Sequence, residues 1–144
     1  LFEDRDDVFY VSTHQNPRTC YPGTGYADEK GTGPGTGYTL NLPLPPGTSD
    51  SSYMELVEHE LLPQITEYAP EFILVSAGFD AHSNDPLAAL NLTDQSFTRL
   101  TEWLKKIAEI SAGGRIVSLL EGGYDLEALS FCVTEHLKVL KDDT

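Results

Sequence analysis

One stretch organises the rest of this chain: residues 71–90, with the sequence EFILVSAGFDAHSNDPLAAL. Its apolar run, 72–76, leads directly into a loop that carries Asp80, His82 and Asp85. Ligands of an open parallel sheet bind beyond the carboxyl ends of the strands, so a strand here would deliver Asp80 to the expected place for a site. Asp85 is followed by proline, a step that more often starts a turn.

A second unit of the same kind follows at 116–120, where another apolar run ends in the sequence EGGY. The two glycines allow a sharp turn and a close approach to a ligand. The phenol of Tyr124 has the chemistry to stabilise charge that develops on a carbonyl oxygen. The pattern alone leaves other roles open, because Tyr124 could pack over the sheet end and Asp80 could cap a turn.

The remaining sequence predicts an α/β fold with a largely parallel sheet. A buried strand is expected at 8–12, and a short strand at 38–42 should end at Pro43. Between them lies a long loop, 13–37, that is rich in glycine and proline. Helices are expected at 51–68 with a kink at Pro63, from Thr93 to the Gly113-Gly114 pair, and from about Asp125 to Leu140.

Caps and apolar stripes locate these helices. Asp50 or Ser51 is the expected cap of the first helix, and Thr93 is that of the second. His59 and His136 fall off the main stripes, so we expect both to be solvated. The last helix should bury a stripe of leucine and valine side chains: Leu126, Leu129, Val133, Leu137 and Leu140.

Composition restricts the partners of the chain. It has 144 residues, 40% of them hydrophobic, and a formal net charge of −14. This acidity, with no basic stripe, argues against direct nucleic-acid binding and against docking on anionic membranes. A cationic partner is compatible with such a field, although acidity commonly serves solubility alone.

Cysteine usage and hydropathy predict the setting. Cys20 and Cys132 are in no metal-binding or CxxC spacing, so we expect no disulfide framework, no cysteine zinc site and a cytoplasmic environment. No apolar run is long enough to span a membrane, and we see no signal-peptide pattern. Because no linker or repeat is visible, residues 1–144 are expected to form a single unit.

Four motifs, in the same order along the chain, resemble those of the zinc-dependent histone deacetylase family. They are YPGTG, GTGPGTGY followed by NLPLP, SAGFDAH with DPL shortly after, and LEGGYD. The resemblance extends to bacterial class II-like members, which include histone deacetylase-like amidohydrolases and acetylpolyamine amidohydrolases. It implies a three-layer α/β fold of the arginase/deacetylase kind. It also implies hydrolysis of the amide of an acetyl-lysine or an acetylated polyamine, with release of acetate.

The resemblance implies roles for individual residues of the site. Asp80 corresponds to a zinc ligand, and Tyr124 to the catalytic tyrosine that polarises the acetyl carbonyl. Four further residues would line the narrow channel for the acylated side chain: Tyr21, Leu87, Gly122 and Gly123.

Two potassium sites are also implied by the resemblance. Ser12 and Thr13 correspond to positions that bind a potassium ion near the active site. A second, outer potassium ion would be bound around Phe2, Arg5, Val8 and Tyr38.

Part of the family's site has no counterpart in residues 1–144. The other zinc ligands, an aspartate and a histidine of an Asp-x-His-His segment, are not found, and neither are the general-base histidines. The resemblance therefore implies a fragment from the C-terminal part of the catalytic domain, with weak zinc binding or none by itself. Such a fragment should self-associate or pair with the N-terminal part. The alternative is a non-catalytic α/β binding or self-association module derived from the same family.

Overall fold

The computed structural model describes residues 1–141 and divides into two compact units. The first is Leu1–Gly47, and the second begins at Thr48. Each unit holds its own pair of parallel strands. The helices follow strands in the predicted order, which confirms the α/β class.

The first unit is built on the parallel strands β1 (Tyr10–Gln15) and β2 (Thr39–Leu44). The strand predicted at 8–12 begins two residues later and ends three residues later than predicted. Its ladder with β2 continues into the segment that was predicted to be a loop. The strand is also half-exposed rather than buried. The loop between the strands narrows to 16–38 and contains one 3-10 turn, Gly33–Gly35.

Pro43 lies inside β2, opposite His14, although it was predicted to end that strand. The ladder begins with Tyr10 N–H donating to Tyr38 C=O at 2.9 Å and ends with Asn16 N–H donating to Leu44 C=O at 2.7 Å. This alternation turns the backbone nitrogen of Pro43 away from β1. Proline is tolerated in a strand at such a position, because the donor that it lacks is not needed.

The second unit is built on the parallel strands β3 (Ile73–Ala77) and β4 (Ile116–Leu120). The prediction for β4 is confirmed, and β3 is displaced by one residue. The helix α3 (Asp94–Ser111) lies in the connection between them, as a parallel crossover requires. One face of the pair is buried at Ile73, whereas Leu74 on the opposite face is 68% exposed.

The helix predicted at 51–68 is a continuous helical run in three parts. They are α1 (Asp50–Leu56), a π-helical turn (Val57–Leu61) and α2 (Leu62–Tyr68). Pro63 offers no N–H, and its ring clashes with the preceding turn of a regular helix. The wider π turn just ahead of Pro63 accommodates both effects, so the predicted kink takes the form of a widened turn.

The helix caps differ from those predicted. Ser49 caps α1, because its hydroxyl oxygen accepts the Ser52 N–H at 3.4 Å. Thr93 occupies the cap position of α3, but its side chain makes no capping bond there. The carboxylate of Asp50 instead binds the residues at the start of α3, accepting the Thr93 N–H at 2.8 Å, the Thr93 hydroxyl at 2.6 Å and the Ser96 hydroxyl. Burial acts to raise the pKa of Asp50, but these hydrogen bonds outweigh it and lower the pKa.

The last helix, α4 (Leu126–Lys141), buries a different face from the one predicted. Its buried residues are Ala128, Cys132 and His136. Leu126 and Leu137, which were predicted to be buried, are exposed. The small side chains of Ala128 and Cys132 allow α4 to approach its neighbours closely. The imidazole of His136 can be buried because both of its nitrogens are hydrogen-bonded. Hydrophobicity alone therefore did not identify the inner face of α4.

Candidate functional site

Asp80 lies just beyond the carboxyl end of β3, as the sequence predicted. The Phe79 N–H donates to the Gly122 C=O at 2.9 Å, which joins the ends of β3 and β4 beyond their ladder. Burial raises the pKa of Asp80, its own backbone N–H partly offsets this, and the charge of Asp85 raises the pKa further. A carboxylate in this environment would be stabilised by a cation placed against it.

Two glycines bring the end of β4 close to Asp80. A Cβ atom on Gly122 would lie 3.3 Å from both Cγ and Oδ2 of Asp80, so a larger residue would push the carboxylate aside. Gly123 has a φ of +131°, and a Cβ atom there would lie 2.7 Å from Leu129 Cδ1. Glycine tolerates this backbone conformation and this crowding, whereas other residues would be strained.

Asp85 links the two strand ends. Its buried carboxylate accepts the Tyr124 N–H at 2.8 Å through Oδ2. Through Oδ1 it accepts the N–H of Leu87 at 2.9 Å and that of Ala88 at 3.4 Å. The turn predicted at the Asp-Pro step is confirmed. The bond to Tyr124 was not predictable, because it joins residues 39 apart in the sequence.

The structure thus gathers most of the predicted site residues of the second unit at one end of β3 and β4. The Tyr124 side chain is 53% exposed and Leu87 is also exposed, so both are accessible to a ligand. The catalytic, zinc and channel roles of the group stay predictions. Its members are Asp80, Leu87, Gly122, Gly123 and Tyr124.

His82 is buried and turned towards α3, although it shares a loop with Asp80. Its Nδ1 accepts the Asn84 N–H at 3.1 Å, and its Nε2 lies 3.3 Å from Asp94 Oδ1. The Cys132 thiol donates to the same Asp94 oxygen at 3.3 Å. The ligand-type atoms of His82, Asp94 and Cys132 all lie within 4.8 Å of one another.

The three side chains of this cluster are of types that bind metal ions. In the structure they are joined to one another through the carboxylate of Asp94. Because Nδ1 of His82 accepts a backbone proton, a neutral ring carries its own proton on Nε2 and donates it to Asp94. Burial raises the pKa of Cys132 to about 12, and Asp94 contributes to the rise. In this protonation state, the contacts of Asp94 with His82 and Cys132 join the Asp80 loop to α3 and α4.

A second buried network surrounds His136, which the sequence wrongly predicted to be solvated; His59 is exposed, as predicted. The Thr101 hydroxyl donates to the Phe97 carbonyl at 2.7 Å, so it accepts from His136 Nδ1 at 2.7 Å. The His136 Nε2 then accepts the Ser118 hydroxyl at 2.8 Å. Burial lowers the pKa of His136, which keeps the ring neutral.

The residues implied in the inner potassium site lie in β1 of the first unit. Ser12 and Thr13 are half-buried there. A carbonyl only accepts, so the His14 Nε2 donates to the Gly25 C=O at 2.8 Å. The His14 Nδ1 then accepts the Ser12 hydroxyl at 2.8 Å. Donating this proton leaves the Ser12 oxygen able to bind a cation, but the potassium role stays a prediction.

The residues implied in the outer potassium site form a turn and the approach to a strand. The Phe2 C=O accepts the Arg5 N–H at 3.1 Å, Val8 is half-buried, and Tyr38 precedes β2. Tyr21, implied in the channel, is exposed in the long loop. The potassium and channel roles of these five residues stay predictions.

A carboxylate and a tyrosine at the ends of neighbouring parallel strands define an α/β protein with a strand-end site. The histone deacetylase domain family matches residues 1–140. A probable deacetylase of Archaeoglobus fulgidus is 46% identical over 127 residues, covering 88% of this chain and 35% of its own length. A histone deacetylase-like amidohydrolase of Pseudomonas aeruginosa is 39% identical, covering 92% and 34%. The crystal structure of an acetylpolyamine aminohydrolase from Burkholderia pseudomallei superimposes with a TM-score of 0.85 at 34% identity, covering 96% and 39%.

The chain therefore belongs to the histone deacetylase family, as its motifs predicted. Its fold is that of the arginase/deacetylase class. The chain spans about a third of the length of the two curated relatives described above.

Proposed function

We propose that this chain is the C-terminal portion of the catalytic domain of a zinc-dependent deacetylase. The reaction would be hydrolysis of the amide of an acetyl-lysine or an acetylated polyamine, giving acetate and a free amine. The observation that carries the proposal is the pairing of two groups at adjoining strand ends. The carboxylate of Asp80 lies against Gly122, and Tyr124 follows two residues later with an accessible phenol.

Asp80 would supply one ligand of the zinc site. Aspartate oxygen is an established zinc ligand, but such a site needs three or four protein ligands. Within the described part of the second unit, the oxygens of Asp85 already accept backbone N–H groups, and the nitrogens of His82 are engaged by Asn84 and Asp94. Because residues 1–144 contain no Asp-x-His-His segment, the motif that supplies the other zinc ligands in the family, those ligands and the general-base histidines would come from outside these residues.

Tyr124 would donate its phenolic proton in a hydrogen bond to the oxyanion formed when water adds to the amide carbonyl. A bound zinc ion supplies polarisation of that carbonyl and activation of the water. One donor of this kind contributes about 2.7–4 kcal/mol to transition-state stabilisation. Leu87, Gly122, Gly123 and Tyr21 would line the channel for the acylated side chain.

Two potassium ions would bind to residues of the first unit. The proposal rests on the family resemblance at Ser12 and Thr13 for the inner ion. For the outer ion it rests on Phe2, Arg5, Val8 and Tyr38.

A cytoplasmic setting and a covered sheet face complete the proposal. Cys20 and Cys132 are both free thiols, which suits a reducing compartment. No helix within residues 1–141 combines the length and the hydrophobicity needed to cross a membrane.

The exposed apolar face of β3 and β4, which includes Leu74 and Leu119, would be covered by the rest of the domain or by another copy of the chain.

Substitution of Tyr124 by phenylalanine tests the proposed function. In a complete deacetylase domain that contains this chain, Tyr124→Phe should lower kcat by about 10²- to 10³-fold, because one oxyanion donor is lost. Turnover is to be measured with acetyl-lysine peptides and with acetylated polyamines, and bound zinc by metal analysis. Zinc content should stay unchanged, since the phenol is not a ligand.

Tyr10→Phe is the matched control, because Tyr10 is exposed to a similar degree and lies in β1 with no role in the site. It should leave kcat unchanged. Turnover of Tyr124→Phe at the level of the unsubstituted protein would refute the proposed role of the phenol. An unsubstituted domain that binds zinc but hydrolyses neither substrate class would refute the proposed reaction.

A further inference from the structure

We propose that Asp85 is the positioning residue for Tyr124, a proposal that rests on the catalytic role proposed above for that tyrosine. Asp85 is 8% exposed, and its Oδ2 accepts the Tyr124 N–H at 2.8 Å. A hydrogen bond to a charged acceptor is about twice as strong as one between neutral groups. Asp85 thereby fixes the backbone from which the phenol projects.

Tyr124 needs such a restraint because of what precedes it. Residues 121–125 belong to no strand or helix, and Gly123 adopts a φ of +131°. Glycine has the widest conformational freedom of any residue, so the segment is not rigid by itself. The Gly122 C=O is held by the Phe79 N–H at 2.9 Å, and Asp125 caps α4 through the Ala128 N–H at 2.8 Å. The Asp85 bond fixes the segment between these two points.

An Asx turn alone does not account for the contacts of Asp85. That turn uses Oδ1, which accepts the N–H groups of Leu87 and Ala88. The second oxygen, Oδ2, is directed at Tyr124, which is 39 residues away in sequence. One carboxylate therefore sets the position of the Leu87 loop and of the Tyr124 backbone together, so that their separation is fixed.

The substitution Asp85→Asn separates the two roles of Asp85, which are to form the turn at Leu87 and Ala88 and to hold the backbone of Tyr124. Asparagine also forms Asx turns, so its carbonyl oxygen can keep the bonds to Leu87 and Ala88. Its NH₂ group would then face the Tyr124 N–H, and two donors cannot bond to each other. The variant is isosteric and leaves the channel loop in place while it removes the restraint on Tyr124.

The first test is made on the 144-residue chain by NMR and does not depend on activity. In the unsubstituted chain, a scalar coupling through the hydrogen bond should connect the Tyr124 nitrogen with the Asp85 carboxyl carbon. In Asp85→Asn, amide exchange at Tyr124 should accelerate by about tenfold or more.

Asp50→Asn is the matched control, since Asp50 is a hydrogen-bonded carboxylate of the same unit without contact to Tyr124. It should leave amide exchange at Tyr124 unchanged. No coupling in the unsubstituted chain, or equal acceleration in both variants, would overturn the proposal.

The second test is made in a complete, zinc-loaded deacetylase domain. Asp85→Asn should lower kcat by up to about a hundredfold with KM little changed, because the phenol is misplaced while the channel loop is retained. In a Tyr124→Phe background the same substitution should have little further effect, because Asp85 acts through the phenol. An equal loss in both backgrounds would show a merely structural role and overturn the proposal. If the unsubstituted domain is inactive, the proposed function fails, and the NMR result still decides whether Asp85 holds Tyr124.

Discussion

Asp80 and Asp85 belong to the same loop, yet their carboxylates are used in different ways. Asp85 accepts backbone N–H groups through both oxygens, whereas the pKa of Asp80 is raised by burial and by the charge of Asp85. The hydrogen bonds of Asp85 fix the backbone of the loop and of Tyr124. The environment of Asp80 favours binding of a cation next to its carboxylate. The sequence predicted Asp80 as the ligand and Asp85 as a turn residue. It did not predict the bond to Tyr124, because that donor comes from the end of a different strand.

The buried ring of His136 should make stability depend on pH. Its pKa is lowered from the ordinary value of 6.5, so the unfolded chain binds a proton more readily than the folded one. Stability should therefore be complete above about pH 6.5, fall as the pH drops below that value, and level off below the folded pKa. Urea unfolding at neutral pH and about one unit below 6.5 measures this loss.

The matched variant is His136→Gln, which cannot titrate. Its free energy of unfolding should be lower at neutral pH, since the bonds to Thr101 and Ser118 are disturbed. The difference between the two pH values should be smaller than in the unsubstituted chain. Equal differences in the two proteins would show that groups other than His136 cause the pH dependence.

At the scale of elements, short apolar runs and terminal glycines were the most reliable signals. The strand β4 and the end of α3 near Gly113-Gly114 are examples. The inner face of α4 was missed, because burial there follows the small residues Ala128 and Cys132 and the hydrogen-bonded His136. The leucines of its predicted stripe include Leu126 and Leu137, which are exposed in this chain.

The hydrogen bonds of Asp50 at the start of α3 give a prediction at this scale. Asp50→Ala should lower the free energy of unfolding by about 1 kcal/mol or more, because it removes the acceptor for Thr93 N–H and for the hydroxyls of Thr93 and Ser96. Thr93→Ala should cost less, since the bond from the backbone of residue 93 to Asp50 remains. Urea unfolding of the two variants measures the difference. A larger loss in Thr93→Ala than in Asp50→Ala would contradict the role of Asp50 in holding the start of α3.

At the scale of the whole molecule, acidity and apolar surface act against each other. The net charge of −14 opposes association of copies of the chain. The exposed face of β3 and β4 favours it, since Leu74 is 68% and Leu119 53% exposed and the strand edges offer unpaired backbone groups. The charge is screened by salt, whereas apolar contacts are not.

The 144-residue chain should therefore self-associate more strongly as salt is raised. Sedimentation velocity at low and high ionic strength measures this. The double variant Leu74→Lys, Leu119→Lys should be more monomeric. The control is Ile110→Lys, since Ile110 is 73% exposed on α3, away from that face, and its substitution should have a smaller effect. A chain that is monomeric at all salt concentrations would contradict the proposal that this face requires a cover.

We propose Asp80 as one ligand of a zinc site whose other ligands lie outside residues 1–144. The most direct measurement is the zinc retained per molecule after dialysis. It should be made on the 144-residue chain, on a complete deacetylase domain containing it, and on that domain with Asp80→Asn. We expect about one zinc ion per molecule of the complete domain, and far less in the variant and in the 144-residue chain alone. Full zinc retention in the variant, or stoichiometric zinc in the 144-residue chain, would contradict this proposal.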